Sequence, residues 1–302
     1  MASTVHIEGH DIDVSSLDKE FYPEDHFSKG EVIGHYRALG EAMLPHLAGR
    51  PLTMRRYPDG IGSAGFFQKD ASDYFPDWVR TVEVPLRTGG SVDHVVCDDV
   101  ATLVYLANQA TVEFHVGLAP VDDLERPDRL VIDIDPPPEV ETAVLHSVAR
   151  RARDLCAELG LVPFVQATGG RGYHVAAPLD RSADFELVRA LAAGIAERLA
   201  SREPDLLTTA QRKQRRGGRI FLDAGRNAYG QTFIAPYSLR ARPGVPVATP
   251  LDWEELGRSA PNRYTAAKIR KRLAQKPDPW SDIDGSAAAP APARDRLEAL
   301  TD

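Results

Sequence analysis

Apolar residues along this chain switch between two rhythms. From Ser28 to Ala48, Val32, Ile33, Tyr36, Leu39, Met43 and Leu44 recur at helical spacing. Ser28 with Glu31 three residues later has the form of a capping box. Leu52–Tyr57 then reads as a strand broken by Pro58-Asp59-Gly60, and 95–108 as a mixed stretch ending in a helix. Glu113–Val116 and Leu130–Asp135 read as strands, and Glu139–Leu159 as an amphipathic helix closed by Gly160. Phe164–Ala167 and Tyr173–Ala177 read as strands joined by a Gly-rich turn, followed by a helix from Phe185 to Ala200. Ile220–Asp223 reads as a strand and Tyr264–Leu273 as a basic helix. Strands and helices mix without a regular βαβ rhythm, so the fold class is α+β. We expect one catalytic domain over 1–283 and a disordered, Ala- and Pro-rich tail over 284–302.

The strand Leu130-Val131-Ile132-Asp133-Ile134-Asp135, stopped by three prolines, carries the strongest chemical signal. Side chains alternate across a strand, so Asp133 and Asp135 share one face and Ile132 and Ile134 the other. Aspartate is depleted in strands, and two side by side repel. A divalent cation removes the conflict; an exposed edge strand facing water is the plainer alternative. Asp223 also ends an apolar strand, where aspartate serves equally as a turn residue. Three carboxylates from two strands could hold two metal ions for displacement at phosphorus.

Thr168-Gly169-Gly170-Arg171-Gly172-Tyr173-His174 could turn backbone N–H groups toward an anion, with Arg171 and His174 as further donors. A hairpin that needs glycine for its geometry explains the same residues. Five of the nine residues Gln211–Arg219 are basic, and this run leads into Asp223, Arg226 and Asn227. We read Lys213, Arg216, Arg226 and Asn227 as a phosphate track beside the aspartates. Phe66 and Phe67 adjoin in a strand and so face opposite ways; read alone they are core residues, whereas an exposed one could stack on a base.

Composition narrows the classes. The 302 residues are 43% apolar, enough for a folded core. The formal charge of −8 gives no global nucleic-acid signature, so any such site is local. Two cysteines, Cys97 and Cys156, make neither a disulfide framework nor a zinc site. With no signal core and no apolar run of spanning length, we expect a cytoplasmic protein without membrane contact, working as a monomer.

The order and spacing of Asp133-Ile134-Asp135, Thr168–His174 and Ile220–Asp223 resemble the three motifs of archaeo-eukaryotic primases. The match is nearest the polymerase domain of bacterial ligase D and its stand-alone primase-polymerase relatives, and runs from about Val14 to about Leu273. The resemblance implies two packed sheet-and-helix halves around a catalytic cleft. It implies a template-dependent nucleotidyltransferase filling gaps or broken ends in DNA repair, accepting ribonucleotides as well as deoxyribonucleotides. Two Mn2+ or Mg2+ ions would be held by Asp133, Asp135 and Asp223. Arg55, His115, Thr168, Gly169, Arg171, His174 and Arg240 would contact the nucleoside triphosphate. Phe66 and Phe67 would lie on the template side, which favours an exposed ring. Ser16, Lys19 and Lys29 would grip the 5′-phosphate of gapped DNA. A DNA ligase and an end-binding repair protein are the partners such a role calls for.

The chain departs from the family pattern in places. Ser16 stands where asparagine is common, Arg55 and Arg171 replace lysines, and Ala224-Gly225 replaces a bulky residue. No ligase Lys-x-Asp-Gly motif or nuclease module is visible, so the expectation is a separate polymerase or an excised domain. A metal-dependent nuclease or phosphohydrolase using the same aspartates, and a non-catalytic end-binding module, are the alternatives.

Overall fold

The computed structural model describes Ser3–Leu300. The outer ends of the expected domain and tail, at residues 1–2 and 301–302, lie outside the described residues. The described residues fall into two compact units. One contains the described residues through Gly117 with Thr232–Ala248 and Tyr264–Pro277. The other contains Leu118–Gln231, Thr249–Arg263 and the described residues from Asp278 onward.

The first unit is built on an antiparallel four-stranded sheet in the order Thr232–Ile234, Thr111–Gly117, Leu52–Arg56, Phe66–Gln68. Helix Lys29–Leu47 starts where expected: the Ser28 hydroxyl accepts from the Glu31 N–H, and the Glu31 carboxylate accepts from the Ser28 N–H. It packs on helix Val100–Asn108. Val32, Tyr36 and Met43 are fully buried. The Tyr36 hydroxyl donates to the Val112 carbonyl and accepts from the Leu239 N–H, which fixes the segment after Ile234 beside the strand Thr111–Gly117. Sequence periodicity missed two hairpins, Ser3–Ile7 with His10–Val14 and Thr81–Pro85 with Ser91–Val95. Each strand is only five residues long, with polar residues exposed on one side and Val5, Ile7, Ile12, Val14, Val82 and Val84 at alternate positions.

The second unit holds a six-stranded sheet in the order Leu207–Thr208, Ile220–Asp223, Arg129–Asp135, Tyr173–Pro178, Phe164–Ala167, Thr249–Leu251. Only the first pair is parallel. The acidic strand Arg129–Asp135 is therefore interior, which removes the edge-strand reading of its aspartates. Helices Thr142–Glu158 and Phe185–Arg202 pack on this sheet. The former begins three residues later than its periodicity suggests, after the Pro136–Pro138 stop.

The tail is not disordered. Asp284–Ser286 forms a short 3-10 turn and Pro290–Ala299 a helix on helix Phe185–Arg202. Ala293 is buried, Leu297 packs against Gly194, and the Arg296 guanidinium donates to the Leu159 carbonyl. Ala- and Pro-rich composition misled because Pro290 occupies the helix start, where its missing N–H costs nothing.

Candidate active site

Register places the acidic residues. In the six-stranded sheet Asp133 stands directly opposite Asp223 on one neighbouring strand and opposite His174 on the other. His174 in turn stands opposite Gln166. Cross-strand partners share a face, so Asp223, Asp133, His174 and Gln166 form one row across four strands. Asp135 lies on the same face two residues along. Ile134 points the other way and is fully buried.

The carboxylates differ in exposure and in partners. Side-chain exposure rises from 15% at Asp133 through 24% at Asp223 to 41% at Asp135. The His174 Nε2 lies 3.5 Å from Asp133 Oδ1. The Arg226 Nε reaches Asp133 Oδ2 at 3.3 Å and Asp223 Oδ2 at 3.7 Å. Asp135 has its own cations: Arg216 Nη1 at 3.1 Å and Arg171 Nη2 at 3.7 Å. Burial alone would raise the Asp133 carboxyl, but the charge and hydrogen bond of His174, then of Arg226, hold it below the usual carboxylate value.

Whether these residues suit a metal ion turns on their donor chemistry. Carboxylate oxygens are the ligands that magnesium and manganese favour. The space between Asp133 and Asp223 already accepts a cationic group, the Arg226 guanidinium. Among the described residues, however, no three His, Cys, Asp or Glu side chains are grouped so as to hold an ion by themselves. Asp133 and Asp223 share Arg226, and Asp135 lies beside them on its own partners, Arg216 and Arg171. A pair suits an ion whose remaining ligands are substrate oxygens and water.

The Gly-rich turn differs from its expected cradle. The Thr168 N–H donates to the Gly172 carbonyl, the Gly169 N–H to Pro261 and the Gly170 N–H to the Thr168 hydroxyl. Those N–H groups close the loop instead of facing outward. Thr168 is a buried brace, its hydroxyl also donating to the Gly172 carbonyl. Glycine at 172 is dictated by the acidic strand, because a Cβ there would come within 1.8 Å of the Ile134 carbonyl oxygen. Half-exposed Arg171 is the group this turn presents.

The basic run also sorts differently. Arg216 stacks on Phe221, 3.8 Å from the ring centroid, while gripping Asp135. Lys213 is exposed on the short helix Lys213–Arg216. Asn227 is no part of a track: it is fully buried. Its side-chain carbonyl accepts from the Val131 N–H at 2.8 Å, and its amide donates to Val131 at 2.7 Å and to Ala224 at 3.0 Å. It staples the turn carrying Arg226 to the acidic strand.

A second constellation occupies the four-stranded sheet. Glu113 and His115 are alternate residues of one strand, so both face the same way. The Glu113 carboxylate has Arg55 at 3.4 Å, His115 Nε2 at 3.1 Å and Arg240 Nε at 3.2 Å, and accepts from the Ala241 N–H at 2.9 Å. Burial would raise this carboxyl, but the His115 hydrogen bond, the Arg240 and His115 charges and the Ala241 N–H hold it far below the usual range. Sequence reading passed over Glu113. Its signal was an acid inside an apolar strand, two residues before a histidine.

Phe66 and Phe67 are both exposed, at 47% and 61%, so neither is a core residue. Their strand is the sheet edge, and alternation there offers no buried side. Arg55 sits 5.2 Å from the Phe67 ring centroid and Arg56 5.7 Å from that of Phe66. Ser16, Lys19 and Lys29 do meet. The Ser16 carbonyl accepts from the Lys19 N–H, and the Lys19 carbonyl from the Lys29 N–H. The amines, though, already have partners: Lys19 pairs with Asp59, and Lys29, nearly buried, donates to the Ser15 carbonyl. Burial, then the charge of Lys19, lowers the Lys29 amine from its ordinary value.

Comparison with known proteins gives the family. A family model described as the LigD primase-polymerase domain matches residues 28–280. The multifunctional non-homologous end joining protein LigD of Mycobacterium bovis is 35% identical over 294 residues, covering 95% of this chain and 38% of that protein. The bifunctional LigD of Bacillus subtilis is 32% identical over 271 residues, covering 89% of this chain and 43% of that protein. The chain thus spans less than half the length of these curated relatives. Among solved structures, the polymerase domain of Mycobacterium tuberculosis ligase D in complex with DNA superposes with a TM-score of 0.83 at 33% identity, covering 91% of this chain and 98% of that one. The mixed α+β fold and the match over residues 28–280 establish that the chain belongs to the LigD primase-polymerase domain family.

Proposed function

We propose that this chain is a template-directed nucleotidyltransferase that extends a primer 3′-hydroxyl at gaps or ends in DNA. One observation carries the reading: Asp133 and Asp223, paired in register on interior strands, share Arg226, with His174 on Asp133 and Arg171 and Arg216 on adjoining Asp135. Paired carboxylates ringed by cations suit a reaction in which a polyphosphate gains charge while an oxygen nucleophile is positioned.

Each residue has a part. Asp133, Asp223 and adjoining Asp135 would hold Mn2+ or Mg2+, two ions in the catalytic complex, supplying charge neutralisation and an activated hydroxyl when bound. Asp133 is suited to stay ionised because His174 and Arg226 hold its proton affinity down. Arg171 offers a planar fork to phosphate oxygens. Glu113 keeps Arg55, His115 and Arg240 in one arrangement, a preformed anion site for nucleotide or DNA. Exposed Phe66 and Phe67 offer faces for template bases. The Ser16, Lys19 and Lys29 corner is the proposed 5′-phosphate contact. No side chain is an evident general base, so positioning and charge stabilisation must supply the rate. Acceptance of both sugar types is part of the proposal.

The test is a labelled primer on gapped DNA, with each metal and with ribo- or deoxyribonucleotides. One-nucleotide extension with both sugars supports the reading; shortening of the primer indicates a nuclease.

A further inference from the structure

Arg226 meets both paired carboxylates at once. It stands on the 3-10 turn Gly225–Asn227, and its Nε is shared between Asp133 and Asp223. Its side chain is 42% exposed, so it can leave without opening the core. The turn beneath it cannot leave, because the buried Asn227 side chain fixes it to both the N–H and the carbonyl of Val131. The arrangement is a fixed base carrying a releasable cation. Arg216 is the opposite case. It is 19% exposed, stacked on Phe221, and bonded to the Ala210 and Gln211 carbonyls as well as to Asp135.

Two carboxylates facing each other across an antiparallel pair repel, and like charges there destabilise the sheet. Something positive must offset them before any ligand arrives. We propose that Arg226 is a built-in counter-cation that competes with the divalent ion for Asp133 and Asp223, and so weakens metal binding in the absence of nucleotide. This deepens the nucleotidyltransferase reading and rests on its assignment of those two residues. Once a triphosphate brings phosphate oxygens, the displaced guanidinium gains an alternative anion to hold. Metal and nucleotide binding are coupled as a result, and the metal-free state keeps its acidic pair balanced.

A competing cation and a structural prop differ in the sign of one effect. Loss of a structural prop would loosen the carboxylates and weaken metal binding. Loss of a competitor strengthens it. In a water-facing setting, removing one adjacent positive charge is worth about tenfold in divalent-ion affinity. The experiment titrates Mn2+ alone into the whole chain and reads free ion by its paramagnetic resonance signal. Proteins compared are wild type, Arg226→Ala, Arg226→Lys, Arg171→Ala and Asp133→Asn, each first checked by thermal melting.

We expect Arg226→Ala to bind Mn2+ about tenfold more tightly than wild type. Arg226→Lys, which keeps the charge, should stay near wild type. Arg171→Ala, whose guanidinium lies 3.7 Å from Asp135 and touches neither paired carboxylate, should change affinity less than Arg226→Ala. Asp133→Asn should abolish the site. Equal or weaker binding by Arg226→Ala, with a wild-type site still lost in Asp133→Asn, overturns the competitor role and leaves the metal reading intact. Binding that is absent from both wild type and Arg226→Ala, or that ignores Asp133→Asn, overturns the metal reading and this proposal with it.

Discussion

The two sheets use carboxylates in opposite ways. In the four-stranded sheet a single acid, Glu113, is 2% exposed and serves Arg55, His115, Arg240 and one backbone N–H. In the six-stranded sheet three acids, 15–41% exposed, are held by Arg226, Arg216, Arg171 and His174. A sealed carboxylate acts as an anchor: it orients cations toward whatever lies beyond it. Carboxylates left partly open keep lone pairs for a ligand. Burial, more than residue type, separates the two tasks, because an unpaired charge is tolerable only where water or an ion can reach it.

That contrast can be broken at its largest effect first. Replacing Asp133 with Asn should reduce nucleotidyl transfer about a thousandfold, the upper range for loss of one charge-stabilising contact, while thermal melting shifts little. Steady-state extension kinetics and a melting curve measure both. A large drop in melting temperature with activity retained would mean that the open acids are structural too.

Glu113→Gln should behave in reverse. Removing the charge from a buried group that several cations share costs about 3 kcal/mol of stability. KM for nucleotide should rise about tenfold as Arg55, His115 and Arg240 lose their common tether, with a smaller change in kcat. The same variant sharpens the comparison through pH. The Glu113 carboxyl is depressed in the folded state. Its contribution is therefore complete above the unfolded value of about 4.3 and is lost as pH falls from there toward the folded value. The stability gap between wild type and Glu113→Gln should thus narrow on acidification below about pH 5. Denaturant melts at pH 3–6 read it, and a gap that widens would contradict the anchor role.

Much of this division was visible in the chain before folding. Asp133-Ile134-Asp135 gave two acids on one face, and strand alternation needs nothing further. Opposition of Asp133 to Asp223 was not legible, because register depends on how strands distant in sequence pair. Taken alone, the aromatic pair at 66–67 reads as core because alternation assumes a covered face; the edge position supplies none, and both rings are exposed. Asn227 looked like one more polar member of a basic run, and only the approach of the acidic strand reveals it as a staple. The helix Pro290–Ala299 hid in a composition that suits disorder, since its stability comes from packing on Phe185–Arg202 and little from its own apolar stripe.

Smaller effects follow at the surface. Phe67→Ala should cost about 1–3 kcal/mol of single-stranded template binding, as base stacking on an exposed ring does. It should leave the melting temperature unchanged, because the ring is 61% exposed. Fluorescence anisotropy on primer-template with a single-stranded overhang separates the two. Lys29→Glu should weaken binding to gapped DNA bearing a 5′-phosphate several-fold more than to the same DNA without it. Equal losses on both would remove the phosphate corner.

The central claim is that Asp133 and Asp223 act as a pair in nucleotidyl transfer. Its most direct test is single-turnover extension of a labelled primer on gapped DNA by wild type and by Asp223→Asn, in Mn2+ and in Mg2+. The account predicts a primer lengthened by one templated nucleotide for wild type, and an inert Asp223→Asn protein that melts and binds DNA normally. Extension by Asp223→Asn at the wild-type rate would contradict it.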